Sequence, residues 1–390
     1  MDLFLDISED HLNKKGEELC GDKVEWIRQE DNTIVVLADG LGSGVKANIL
    51  ATLTTKIAAT LLKGGAGLKE TADTLAKTLP VCQVRKLAYS TLGMVQIDNN
   101  GMVYAVENDT PPMVVIKDGK LFEPIRKALT INGRCFYESR FKLEIGDVII
   151  MMSDGVIHAG VGGVLNLGWQ WEQVAQYVER QASKRKSAKG LSKALLDTCN
   201  CLYMEKPGDD TTVLAIKMRA PERINMFTGP PENPENDSVL MNDFLSAEGK
   251  KIVSGGTAAK IVGNVIGEEV EVDMDTATER VPPIGIMKGI DLVTEGVLTI
   301  SKTVEILKEY LKSSSGVKER AQIEGNDGAS RLARLLIDDC THLTLYVGKA
   351  VNPAHQNPNL PLDLSIKLRE VDKLVEILKD AGKYVCVKYY

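Results

Sequence analysis

The sequence predicts a mixed α+β layered domain over residues 1–218, a proline-rich linker over 219–240 and a smaller α/β layered domain over 241–390. Three observations predict it. Strand-like apolar runs dominate the first part, and helical periodicity arrives in pairs rather than between successive strands, which argues against repeated βαβ units. Prolines and polar residues then crowd Phe227-Thr228-Gly229-Pro230-Pro231-Glu232-Asn233-Pro234-Glu235-Asn236, a poor setting for helix or strand. Beyond it, strand and helix patterns alternate.

In order, residues 33–38 form a short β-branched apolar run, hence a buried strand. It ends in the turn Asp39-Gly40-Leu41-Gly42-Ser43-Gly44, after which apolar residues recur at helical spacing over 45–62. A second helix covers 68–78. Strands at 90–97 and 102–106 are joined by Asp98-Asn99-Asn100-Gly101, a strong hairpin signal. Residues 113–116 and 120–122 suggest another hairpin about Asp118-Gly119, and 141–145 and 147–152 read as two strands around Gly146-Asp147. Helices at 169–183 and 190–203 precede a final strand at 212–218. In the second part, 251–257 and 258–266 read as strand, glycine turn and helix. A helix through 301–311, a strand at 343–347, a helix at 371–381 and a strand at 384–388 complete the alternation.

Composition excludes several classes. A hydrophobic content of 44% with 26% charged residues reads as soluble and globular. The net charge of −7 argues against a general nucleic-acid binder, and the short run Lys184-Arg185-Lys186 reads as a solvated helix face. No apolar stretch is long enough for a membrane span, and Met1-Asp2-Leu3-Phe4-Leu5-Asp6 has acids where a signal peptide needs bases. The cysteines, Cys20, Cys82, Cys135, Cys199, Cys201, Cys340 and Cys386, lack CxxC spacing and read as reduced thiols of a cytoplasmic protein.

Three aspartates stand at the ends of apolar strands: Asp39 and Asp154 after one, Asp209 before one. Strand ends deliver polar groups to one rim of a sheet. Carboxylates gathered there repel one another unless a cation intervenes, and oxygen ligands select Mg²⁺ or Mn²⁺. Each Asp-Gly step also permits a sharp turn that can face the glycine carbonyl toward a metal. Any one such site can be an ordinary turn; three strand-end aspartates in one domain carry the weight.

The wording of these blocks is specific. Ala38-Asp39-Gly40-Leu41-Gly42-Ser43-Gly44, Met152-Ser153-Asp154-Gly155-Val156 and Gly208-Asp209-Asp210-Thr211-Thr212-Val213 resemble, in order, the signature blocks of the type 2C metal-dependent protein phosphatases. The resemblance is closest to the bacterial branch that includes sporulation stage II protein E and the stress-response phosphatases. Gly16-Glu17-x-x-Cys20-Gly21-Asp22, Tyr89-Ser90-Thr91-Leu92 and Glu144-Ile145-Gly146-Asp147-Val148 extend it. It implies a β-sandwich flanked by helix pairs, an α-β-β-α arrangement. It also implies two divalent cations, Mn²⁺ or Mg²⁺, with Asp39 bridging them, the Gly40 carbonyl touching one of them, and Asp154 and Asp209 completing the first site. Asp22 corresponds to the family's upstream acid, acting through water, and Asp210 stands beside the ligands rather than among them. The implied reaction is metal-assisted hydrolysis of phosphoserine or phosphothreonine on a regulatory protein, without a phosphoenzyme. The phosphate-gripping arginine of larger family members has no clear counterpart; Arg28 and Arg85 are available, and both fit solvated surface positions. His158 is a candidate proton shuttle.

In the second part, Ser254-Gly255-Gly256-Thr257 leads from a strand into a helix, a junction able to bind a small anionic ligand or simply to cap the helix. Asp338-Asp339-Cys340-Thr341-His342 and Asn352-Pro353-Ala354-His355 are polar clusters at element ends. A regulatory or ligand-sensing role is expected for this part. The alternative for the whole chain is a phosphatase-like scaffold that binds a phosphoprotein with little turnover.

Overall fold

A computed structural model of the chain describes residues 3–78, 90–233, 235, 237–312, 321–350 and 366–390. Cys82, Arg85, Tyr89, Pro234, Asn236 and the cluster at 352–355 lie outside the described residues. The chain divides into two compact units, Met1–Ala220 and Pro221–Tyr390.

The first unit contains two antiparallel sheets. Its strands are β1 (Phe4–Leu12), β2 (Asp22–Arg28), β3 (Asn32–Asp39), β4 (Leu92–Asp98), β5 (Met102–Asn108), β6 (Val114–Lys117), β7 (Lys120–Phe122), β8 (Lys127–Ile131), β9 (Arg134–Lys142), β10 (Val148–Met152) and β11 (Thr211–Arg219). One sheet has the order β1-β11-β10-β6-β7 and the other β2-β3-β4-β5-β9-β8. Val35, Leu37, Val95 and Ile97 of one sheet and Ile149, Met151, Leu214 and Ile216 of the other share a single buried cluster, so the sheets pack face to face. The alternate residues point outward. Ile34 and Val36 meet helices α1 (Gly44–Lys63) and α2 (Leu68–Thr78). Val148, Ile150 and Met152 meet α4 (Trp171–Ala182) and α5 (Ala188–Leu202), while the one-turn helix α3 (Asp154–Ile157) follows β10. Strands buried on both faces read as unbroken apolar runs, which is why 33–38 and 148–152 stand out. The layers are therefore α-β-β-α.

The runs at 141–145 and 147–152 enter different sheets: β9 joins β5 and β8 in one, whereas β10 joins β11 and β6 in the other. Gly146, with φ +99°, turns the chain from sheet to sheet. Lys184-Arg185-Lys186 lies in the turn between α4 and α5, not on a helix face.

The second unit is α/β. Its strands are β12 (Arg223–Thr228), β13 (Lys250–Ser254), β14 (Glu271–Asp273), β15 (Ile284–Ile286), β16 (Leu292–Thr294), β17 (His342–Val347) and β18 (Tyr384–Tyr389). They form one sheet in the order β14-β15-β16-β13-β12-β17-β18, parallel from β16 to β18. The helices are α6 (Asp237–Ser246), α7 (Gly256–Ile266), α8 (Val297–Lys312), α9 (Gly328–Arg334) and α10 (Ile366–Asp380). Met226, Ile252 and Leu345 face α8, α9 and α10, and their neighbours Phe227, Val253 and Tyr346 face α6 and α7. The expected linker also needs correction. The segment expected to be a linker over 219–240 supplies β12, a central strand of this sheet, and the start of α6. The Pro-rich stretch begins only after β12 ends, so its composition masks the short apolar run Ile224-Asn225-Met226-Phe227. Among the described residues, no helix is long and apolar enough to cross a membrane.

Candidate active site

The ends of β2, β3, β10 and β11 meet at one rim of the sandwich. Asp22 opens β2 directly opposite Asp39, the last residue of β3. Asp154 follows β10 by one residue, and Asp209-Asp210 immediately precede β11. Asp39, Asp154, Asp209 and Asp210 line a cleft of about 450 Å³ together with Lys14, Gly40, Ser43, Thr91 and Asp109.

Backbone approach assembles this rim. A β-carbon on Gly40 would overlap the Ala47 carbonyl in the first turns of α1, and one on Gly155 would overlap the Asp210 carbonyl. Neither glycine has a positive φ, so these Asp-Gly steps serve close packing rather than the sharp turn expected of them. Thr91 clamps Asp39: its hydroxyl accepts from the Asp39 N–H at 3.1 Å, and its own N–H donates to the Asp39 carbonyl at 2.9 Å. Ser153 ties β10 to β11, its hydroxyl accepting from the Thr212 N–H at 2.9 Å. Tyr203 donates to the Gly155 carbonyl at 2.8 Å.

The electrostatics are those of crowded anions. Burial pushes the Asp39 carboxyl well above the usual carboxylate range, and the charges of Asp22, Asp154 and Asp209 push the same way. Asp22 is raised first by burial, with the charges of Asp210 and Asp154 adding to it. Asp154 is raised by burial and by Asp209, while His158 and Lys14 oppose the shift. Both carboxylate oxygens of Asp22 and one of Asp210 are buried without a hydrogen-bond partner. Orphaned, mutually repelling oxygens suit a hard divalent cation. Among the described residues, no three His, Cys, Asp or Glu side chains gather tightly enough to enclose an ion alone. Mg²⁺ commonly takes one or two carboxylates and keeps several waters, so the donor set fits a cation that remains partly hydrated.

Residues 29–219 match the family model of stage II sporulation protein E, SpoIIE. The N-terminal unit belongs to the SpoIIE family. Similar solved structures include the phosphatase domain of SpoIIE from Bacillus subtilis with a fragment of its regulatory domain (18% identity, 56% of this chain and 63% of that one, TM-score 0.48). The RsbU and RsbW domains of a Mycobacterium tuberculosis protein are also similar (20% identity, 61% and 66% coverage, TM-score 0.46). So is the SiaA PP2C domain of Pseudomonas aeruginosa (18% identity, 54% and 85% coverage, TM-score 0.43). The chain spans just under two thirds of the first two. No curated protein matches the sequence.

Other candidates fall outside the SpoIIE cleft. Arg28 donates to the Leu5 carbonyl at 2.8 Å and stacks over Phe4, so it serves β1 rather than the rim. His158 is exposed at the end of α3 and is not among the cleft-lining residues. Two lining residues were not anticipated, Lys14 and Asp109. Asp109 has φ +56° in the turn after β5, and Asn108-Asp109-Thr110-Pro111 signalled a turn but not its location. In the second unit, Ser254 is fully buried and its hydroxyl accepts from Thr294 at 3.0 Å. Gly255, with φ +120°, leads into α7 without a side-chain cap, so Ser254 does not cap the helix. Gly256 and Thr257 are exposed at the first turn of α7.

Proposed function

We propose that the SpoIIE unit is a divalent-cation-dependent protein phosphatase acting on phosphoserine or phosphothreonine of a regulatory protein. One observation carries this reading: Asp39, Asp154 and Asp209, from separate strand ends, open into a single cleft with Asp22 behind them. Asp39, Asp154 and Asp209, with the Gly40 carbonyl, would hold Mn²⁺ or Mg²⁺. When bound, two such cations supply an acidified water as nucleophile and neutralise charge on the phosphoryl oxygens. The chain's own part is positional. Thr91 orients Asp39, the Gly155–Asp210 contact sets Asp154 beside Asp209, and Asp22 is a buried carboxyl able to hold a proton at the rim.

The test is hydrolysis of an aryl phosphate by the full chain with Mn²⁺, with chelator, and by Asp154→Asn. Loss of more than about a hundredfold in both cases is expected, with an unchanged thermal melt for the variant. Activity indifferent to both would refute the metal mechanism. A second reading is a phosphatase-like scaffold that binds a phosphoprotein without turnover. It is favoured by the Lys14 ammonium, which sits 3.5 Å from Asp209 Oδ1 where a cation ligand needs to be free. Phosphoprotein binding without Mn²⁺-dependent release of phosphate would select it.

A further inference from the structure

We infer that Lys14 is the phosphoryl-binding cation of the cleft. The inference rests on the phosphatase reading and adds to it the group that receives the substrate's charge. A phosphate monoester is a dianion at neutral pH, and it must enter a cleft walled by Asp39, Asp154, Asp209, Asp210 and Asp109. Among the described residues lining that cleft, Lys14 is the one basic side chain.

Its backbone is fixed with unusual care for a loop. The Lys14 N–H donates to Asp210 Oδ1 at 2.9 Å, across 196 residues of sequence. The adjacent Lys15 N–H donates to the Pro207 carbonyl at 2.9 Å, and the Glu17 N–H closes a turn onto the Lys14 carbonyl, also at 2.9 Å. Gly16 takes φ +91° within that turn, a conformation that favours glycine. Glu17 then accepts from the Ser43 hydroxyl at 3.0 Å, which ties the loop to the start of α1. Asp210 is therefore a positioning residue: it holds Lys14 and leaves Asp209 to face the cleft.

The ammonium itself is held loosely. It lies 3.5 Å from Asp209 Oδ1, with both side chains more than a third exposed. Such a pair contributes little to stability, so its exchange for a stronger partner is easy. An ammonium carries three donors on a flexible stem and acts on phosphate as a compact point charge. A carboxylate that serves a divalent cation no longer neutralises the ammonium, and the incoming phosphoryl dianion takes its place.

The experiment compares the full-length protein with Lys14→Ala and Lys14→Arg in Mn²⁺. It reads KM and kcat for an aryl phosphate, competitive inhibition by inorganic phosphate, and calorimetric binding of inorganic phosphate. For Lys14→Ala, KM and both phosphate constants are expected to weaken about tenfold or more, with a smaller change in kcat and recovery in Lys14→Arg. Wild-type turnover with phosphate constants unchanged in Lys14→Ala would overturn the assignment alone. So would an effect confined to the Mn²⁺ concentration dependence, which would make the lysine only a counter-charge to Asp209. Wild-type phosphate binding without turnover, lost in Lys14→Ala, would uphold Lys14 and refute the phosphatase. A wild type that neither binds phosphate nor turns over would refute both.

Discussion

Gly155 faces the backbone carbonyl of Asp210 with no room between them for a β-carbon. That contact joins the end of β10 to the start of β11 and so sets Asp154 beside Asp209.

Gly155→Ala must push these two backbones apart. A loss of about 1–3 kcal/mol in unfolding free energy is expected, together with loss of Mn²⁺-stimulated hydrolysis. Gly67→Ala is the control, because a β-carbon there meets nothing within 4 Å; its change should stay within about 0.5 kcal/mol. Equal denaturation curves for the two variants would refute the packing argument.

The crowded carboxyls make metal-free stability depend on pH. Asp39 and Asp22 are raised by burial and by neighbouring carboxylates, so the folded state keeps their protons to a higher pH than the unfolded chain does. Their contribution is fully present below the unfolded value of about 3.9 and is lost as pH rises through the folded values. In chelator, Tm should therefore fall between mildly acidic and mildly alkaline pH, and less so in Asp39→Asn. Mn²⁺ should remove most of the slope. A chelated wild type whose Tm rises over this range would contradict the argument.

Asp10 is the hub of a buried ion cluster, 2.7 Å from Lys189, 3.4 Å from Lys193 and 2.6 Å from the Ser192 hydroxyl. Asp10→Ala leaves two largely buried ammonium groups facing one another. It should cost about 3–5 kcal/mol, measured by urea unfolding. A change below 1 kcal/mol would mean that water reaches the cluster.

In the second unit, the Ser254 and Thr294 hydroxyls bond each other in the core. Ser254→Ala alone should cost about 1–3 kcal/mol by orphaning Thr294. The double variant Ser254→Ala, Thr294→Val should cost less than the two single changes added together. Strict additivity would mean that the bond contributes nothing.

The parts of the fold legible in the sequence are those buried on both faces or closed by strong turns. The run at 33–38 and the hairpin about Asp98-Asn99-Asn100-Gly101 are of this kind, and the helix at 68–78 shows through its one-sided apolar spacing. β1 escaped notice for a physical reason. Its helix-facing positions are Asp6, Ser8 and Asp10, satisfied by Arg219 and by the Ala188 N–H, Ser192 and Lys189 of α5. A strand buried on both faces but ionic on one of them does not read as an unbroken apolar run. β12 was hidden by the prolines that follow it, and the separate sheets of β9 and β10 were not legible because two apolar runs flanking a turn do not reveal their sheet. In the site, the aspartates announced themselves through the residues around them. Lys14 did not, because only a contact spanning 196 residues brings it to the rim.

β1 lies along the whole of β11, with Phe4 opposite Arg219 and Leu12 opposite Thr211. The first strand of this unit to be made therefore waits for the last. Asp10 meets Lys189 only after 179 further residues have been made, roughly 10–35 s at ordinary elongation rates. Through that interval the nascent chain carries an unpaired edge and an incomplete rim. The cleft cannot form before Asp209 emerges, so a prematurely terminated chain has neither a finished core nor a site.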